Sequence, residues 1–347
     1  MHFDRHVRTI QALVVKARQQ CERFLRYAAS GQEVPLYQLI DGRHQEVRRL
    51  RLSDYRLVLP IGLTIESFTP FSSMSKRLEE MSPILGKFPF VSMSIDDLFV
   101  LNRFLPTTGE LLHYLTTRQC IAGQRDVFLF DELDHLGAYI EHNRIDQLFD
   151  QQLKDGPSMV INVGSSTIVD QYFADSDWEG TTPPRQPYPI CLAGLLGAID
   201  ETRGPRALEA DAAIRDLGLE GREDIARAIE KLIPSLRKYP FRWFAVPESE
   251  PMLIWLQRES FVDFTEEHAR KAEATALAAK ASHCKVVMLF VRENGHFAGA
   301  WAKNFEAPDS KGSRYAESYA EAQKMLGRAE VLTPEGLEKI HHLRGGF

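Results

Sequence analysis

Residues 2–52 read HFDRHVRTIQALVVKARQQCERFLRYAASGQEVPLYQLIDGRHQEVRRLRL, and two periodicities follow one another in them. Phe3, Val7, Ile10, Val14, Ala17, Cys21, Phe24 and Ala28 recur at spacings of four and three. That spacing lays one apolar stripe along a helix. Arg5, Arg8, Lys16, Arg18, Arg23 and Arg26 take the other faces, and Ser30-Gly31 supplies a stop. Such a helix, about 28 residues long, would run about 42 Å. Its stripe needs a cover, from later in the chain or from a second copy. Immediately afterwards, 34–40 and 46–52 flank Asp41-Gly42, the turn chemistry of a hairpin. A long helix feeding an antiparallel pair departs from regular βαβ alternation and points to α+β.

The rest of the chain continues that mixture. A third strand is expected over 55–63, with Pro60 placing its end at an edge or bulge. A helix over 75–85 and a strand over 88–92 come next. Ser94 is placed to cap a helix running to 104, and Thr108 to cap one carrying Leu111, Leu112, Tyr114 and Leu115. A short apolar strand at 126–130 leads into a helix at 132–140. The Pro/Thr/Gly-rich run SDWEGTTPPRQPYP places a loop or linker at 177–190, between a region 1–176 and a region 191–347. Beyond it the pattern predicts helices at 191–201, 206–217 and 222–236, and strands at 241–246 and 252–257. An Ala-rich helix at 265–282 precedes a hairpin turning at Glu293-Asn294-Gly295. Helices at 314–326 and 333–342 complete the α+β reading, of two regions with packed helices and antiparallel hairpins.

At 347 residues the chain is long enough for two domains and a sizeable core. Cys21, Cys120, Cys191 and Cys284 lie far apart and form no CxxC, which excludes a zinc ribbon or a disulfide scaffold and predicts buried thiols. No apolar run is long enough to cross a membrane, and the first residues lack a signal-peptide layout, so a cytoplasmic protein is expected. The net charge of −6 is unevenly spread: residues 1–56 hold eleven Lys/Arg and six Asp/Glu, a balance of +5. The net value disfavours wholesale coating of nucleic acid, and the basic first section leaves a local contact open.

No complete catalytic motif is present. VFLFDE at 127–132 resembles the acidic strand of a nucleotide hydrolase, but no GxxxxGK[ST] loop accompanies it, and Asp131 fits a helix cap. Asp131, Glu132, Asp134 and His135 form the candidate metal site, with Mg²⁺ the expected ion if their side chains converge. No HExxH involves His113, His135 or His142. Gly164-Ser165-Ser166 is not a GxSxG elbow. Asp309-Ser310-Lys311 matches the acid-x-Lys of a metal-dependent nuclease, yet it stands in a Pro/Gly/Ser loop. Leu343-Arg344-Gly345-Gly346 reads as a terminal tail.

The basic section offers phosphate contacts at Arg18, Arg23, Arg26, Arg48, Arg49 and Arg51, since strand pleating can gather arginines on one face. The runs SMSIDDLFVLNRFLPTTGELLHYLTTRQ (92–119) and FDELDHLGAYIEHN (130–143) resemble a group of bacterial proteins. Longer members of that group begin with a restriction-endonuclease-like, nuclease-related domain. The ARQQCERFLRY stretch at 17–27 resembles the helix that follows its catalytic strands, so the resemblance spans about residues 5–150. The strands that would bear the Asp and the acid-x-Lys would lie upstream of this helix, so no catalytic residue is carried over, and a nuclease-type hydrolase is expected only if an upstream segment supplies them. Three expectations follow: a nuclease-related protein without its catalytic core that contacts nucleic acid or a partner protein, a metal-dependent enzyme at Asp131, or an interaction protein dimerising through its first helix.

Overall fold

A computed structural model describes residues 2–65, 76–156, 158–246, 251–259, 265–309, 312 and 314–327. The chain divides into two compact units, Met1–Gln186 and Pro187–Phe347.

In the first unit, α1 (His2–Ala29) is followed by an antiparallel ribbon of β1 (Val34–Ile40) and β2 (Arg43–Leu50). Asp41 and Gly42 both have positive φ, 50° and 73°, as a two-residue hairpin turn of this twist requires. The buried face of α1 carries Val14, Leu25 and Ala28. Val14 and Leu25 join Met81, Ile84 and Phe90 in a small core. The stripe is therefore turned slightly from the expected one. Leu25 is inside, and Phe24 is 46% exposed.

The helix expected at 75–85 is a correction: its described part holds only a 3-10 turn, Glu79–Met81. Pro83 pushes Ser82 away from helical ψ, and Leu85 and Gly86 both have positive φ. The strand expected at 55–63 contracts to β3 (Ile61–Thr64), which starts just past the donor-less Pro60. It pairs in parallel with β4 (Val91–Ser94). Gly62 lets this pair form close to α1, since a Cβ there would lie 2.5 Å from the Phe90 ring and 3.3 Å from Ala17.

Next come α2 (Ile95–Phe104), α3 (Thr108–Gly123), β5 (Val127–Leu129), α4 (Glu132–His142), α5 (Ile145–Lys154), β6 (Val160–Asn162) and α6 (Thr167–Ala174). Ser94 and Asp97 form a reciprocal capping box on α2. Thr107, one residue before the expected Thr108, caps α3. β5 pairs in parallel with β6. Leu101, Phe104, Tyr114, Leu136, Tyr139 and Phe149 from these helices enclose Val127 and Leu129 in the main core.

The second unit is a four-stranded sheet in the order β10-β9-β8-β7. Its strands are β7 (Phe241–Val246), β8 (Met252–Arg258), β9 (His283–Val291) and β10 (Phe297–Glu306). β8 and β9 are parallel and the other neighbours antiparallel. Helices α7 (Ile190–Thr202), α8 (Ala207–Arg215) and α9 (Leu219–Leu232) pack on the Ile254/Leu256 face. The opposite face, with Leu253 and Trp255, is covered by α10 (Thr265–Ala278) and by Ala322 of α11 (Tyr315–Gly327). Burial on both sides explains the unbroken apolar run MLIWL in β8. Small residues Ala272, Ala274 and Ala276 let α10 lie close to the sheet.

The helix expected at 333–342 and the tail 343–346 lie outside the described residues. No described helix is long and apolar enough to cross a membrane. None of the four cysteines is in a disulfide, but only Cys284 is fully buried and Cys120 is exposed, which corrects the expectation of uniform burial.

Candidate functional site

The ribbon of the first unit is largely exposed, β2 above all. β2 runs from Arg43 to Arg49 without a buried or half-buried residue. In the register, Leu36 opposes Arg48 and Ile40 opposes Arg43, so these residues share one face. Pro35 opposes Arg49, Tyr37 opposes Glu46 and Leu39 opposes His44 on the other. An irregularity between Leu36 and Tyr37 leaves Val47 as the extra residue. The arginines are thus split between the two faces. Tyr37, Leu39 and Val47 are 58%, 63% and 53% exposed, an apolar display that accompanies the basic one.

Charge counted along the sequence overstates what is available here. Arg18 is a correction: it is 7% exposed, and its guanidinium donates to the Ser82 carbonyl at 2.7 and 3.1 Å and to Glu22. It stitches α1 to the 82–88 turn. Arg26 also pairs with Glu22, at 2.6 Å, and its hydrogen bond leads in holding that carboxyl below its usual range. Arg51 pairs with Glu33 at 2.6 Å and Arg49 with Glu46 at 2.6 Å. Arg23, Arg43 and Arg48 are exposed, and no carboxylate pairs with them among the described residues.

The acidic candidates behave differently. Asp131 caps α4, accepting from the Asp134 amide at 2.7 Å, and burial raises its carboxyl pKa. Asp134 accepts from the Ser166 amide at 3.0 Å, holding the turn before α6. Glu132 turns inward, where it accepts from the Tyr114 hydroxyl and from Arg118 Nε at 3.0 Å. His135 is 3% exposed, and its Nδ1 has no hydrogen-bond partner among the described residues. Burial, with Arg118 and Lys76 nearby, keeps its pKa well below the usual range, so the ring is neutral. The four side chains therefore do not form a ligand set. Among the described residues no group of three or more His, Cys, Asp and Glu is placed to hold a metal ion. His113 lies 2.8 Å from the Tyr139 hydroxyl, and His142 sits at the surface beside Glu141. Ser165 and Ser166 occupy a turn after Gly164, and Ser310 and Lys311 lie outside the described residues.

Sequence reading missed Lys76. Its ammonium group donates to the Val127 carbonyl and stands 4.9 Å from the centre of the Phe128 ring. Burial, then Arg118 and Arg77, brings its pKa down to about 7. Nothing in SSMSKRLEE marks this lysine as inward-facing. Comparison with family models, curated proteins and solved structures finds no match to this chain.

Proposed function

We propose that the first unit is a nuclease-related binding module that contacts the sugar-phosphate backbone of nucleic acid through the β1–β2 ribbon. The observation that carries this reading is the two-faced exposure of the ribbon, with Arg43 and Arg48 paired to no carboxylate among the described residues on one face and Tyr37 exposed on the other. Guanidinium groups suit phosphate oxygens, and a two-stranded ribbon is narrow enough for a groove. Tyr37 adds a surface for base or sugar stacking. The nuclease relationship rests on the resemblance of residues 5–150, and the reading assigns no catalytic step.

The test is fluorescence anisotropy of labelled single-stranded DNA, duplex DNA and duplex RNA with the full chain, from about 50 to 200 mM salt. Binding should weaken steeply with salt. Arg43→Ala with Arg48→Ala should lower the salt slope by about one for each lost phosphate contact. No binding at low salt, or a double variant with an unchanged slope, would overturn the reading. A second reading is favoured by Leu13, Phe24 and Tyr27, exposed along one side of α1: a second copy of the chain packs there. Light scattering on Phe24→Ser would then show a smaller particle than wild type.

A further inference from the structure

A cleft of about 390 Å³ opens in the second unit, between the 3-10 segment Ile233–Arg237 and the turn that joins β9 to β10. Leu236 and Val291 contribute to an apolar floor, and Arg237, Arg258 and Arg292 to the wall. The three arginines are held differently. Arg258 Nε donates to the Leu236 carbonyl at 2.7 Å, and its Nη2 to the Arg237 carbonyl at 2.8 Å. These bonds fix its plane and tie the 3-10 segment to the end of β8. Arg292 lies 3.6 Å from Glu259, and both side chains are more than half exposed, so that pair is weak. Arg237 is exposed and pairs with no carboxylate among the described residues.

We propose that this cleft binds a small organic anion, a carboxylate or a phosphate monoester with an apolar body. Arg237 and Arg292 would take the charged end, because planar guanidinium forks match carboxylate and phosphate oxygens. The floor covers the apolar body, and the volume lies within the range of small-molecule sites. Glu293 on the rim disfavours highly charged ligands. Bare inorganic phosphate, which leaves the floor uncovered, is the poorer ligand.

Isothermal titration of the full chain with benzoate, phenyl phosphate, inorganic phosphate and benzyl alcohol tests this. Benzoate or phenyl phosphate should bind one to one, and which of the two binds tighter identifies the headgroup. Inorganic phosphate and the uncharged alcohol should bind more weakly than that probe. Arg237→Ala should weaken it by roughly tenfold or more, as loss of a charge-assisted hydrogen bond does. Arg227→Ala, an exposed arginine on α9 paired with Asp224, should leave it unchanged. Failure of every probe at millimolar concentration overturns the proposal. So does equal affinity in wild type, Arg237→Ala and Arg292→Ala, or equal weakening by Arg227→Ala.

Discussion

Lys76→Met should change the stability of the first unit with opposite sign at low and high pH. The lysine has its pKa brought down to about 7, against 10.5 for an unperturbed side chain. Above about pH 10.5 both folded and unfolded chains hold it neutral. Between about 7 and 10.5 the unfolded chain binds a proton that the folded chain does not, so stability from this group rises with pH. Below 7 both states are protonated, and the folded state bears the full penalty of a half-buried ammonium. A gap of this size corresponds to roughly 5 kcal/mol at full burial. Solvent reaches part of the side chain, which brings the penalty to roughly 2–3 kcal/mol. Methionine keeps the stem and removes the charge, but it forfeits the hydrogen bond to the Val127 carbonyl, worth about 1 kcal/mol. The variant should therefore be more stable than wild type by roughly 1–2 kcal/mol at pH 6, and less stable by roughly 0.5 kcal/mol near pH 10, where the unfolded lysine is still partly protonated. Urea unfolding at several pH values, followed by the labelled methyl signals of buried Met81 and Met93, confines the reading to this unit. Groups that titrate alike in both proteins cancel in the difference. A difference that is flat in pH, or that moves in favour of methionine as pH rises, would refute the reasoning.

Other substitutions test the same interior and the ribbon. Gly137→Ala would set a Cβ 1.7 Å from the Ser165 carbonyl oxygen, a backbone atom that cannot swing aside. Roughly 3 kcal/mol should be lost in the same urea assay, and a neutral result would show that α4 and the 164–166 turn are not packed this closely. Arg118→Met strands the Glu132 carboxylate, whose side chain is 4% exposed, and should cost roughly 3–5 kcal/mol. Adding Glu132→Gln should recover part of that loss, and no recovery would mean that the pair is not the cause. Glu33→Gln with Glu46→Gln releases Arg49 and Arg51 from their carboxylates, so nucleic-acid binding should tighten and its salt slope steepen. An unchanged slope would mean that these arginines do not face the ligand.

Elements with a strong period or a distinctive turn were legible in the sequence. The 3.6-residue period gave α1, and Asp41-Gly42 gave the ribbon turn. What stayed hidden has a common physical cause, namely that the deciding contact is far away in sequence. β3 and β6 have only four and three residues, too few to show alternation, and their parallel direction depends on which strand lies beside them. The rotation of α1 follows from a single choice between Phe24 and Leu25. Both fit a three-four spacing, and the choice is made by the side chains that line the small core at Met81, Ile84 and Phe90.

The same cause limits a reading of the site from charge alone. An arginine in a helix contributes one positive charge to a count whether it meets water or a carbonyl, and Arg18 meets the carbonyl of Ser82, 64 positions away. Glu132 and Glu33 look alike in a list of acids. Glu132 is buried between Tyr114 and Arg118, and Glu33 pairs with a surface arginine, Arg51. Arg23, Arg43 and Arg48 pair with no carboxylate among the described residues, and only the fold supplies that fact. The basic balance of the first 56 residues therefore does not measure a binding surface. The proposed surface is the part of that charge left after Glu22, Glu33 and Glu46 have taken their share, and on the ribbon that remainder is Arg43 and Arg48 on one face, with Tyr37 and Leu39 exposed on the other.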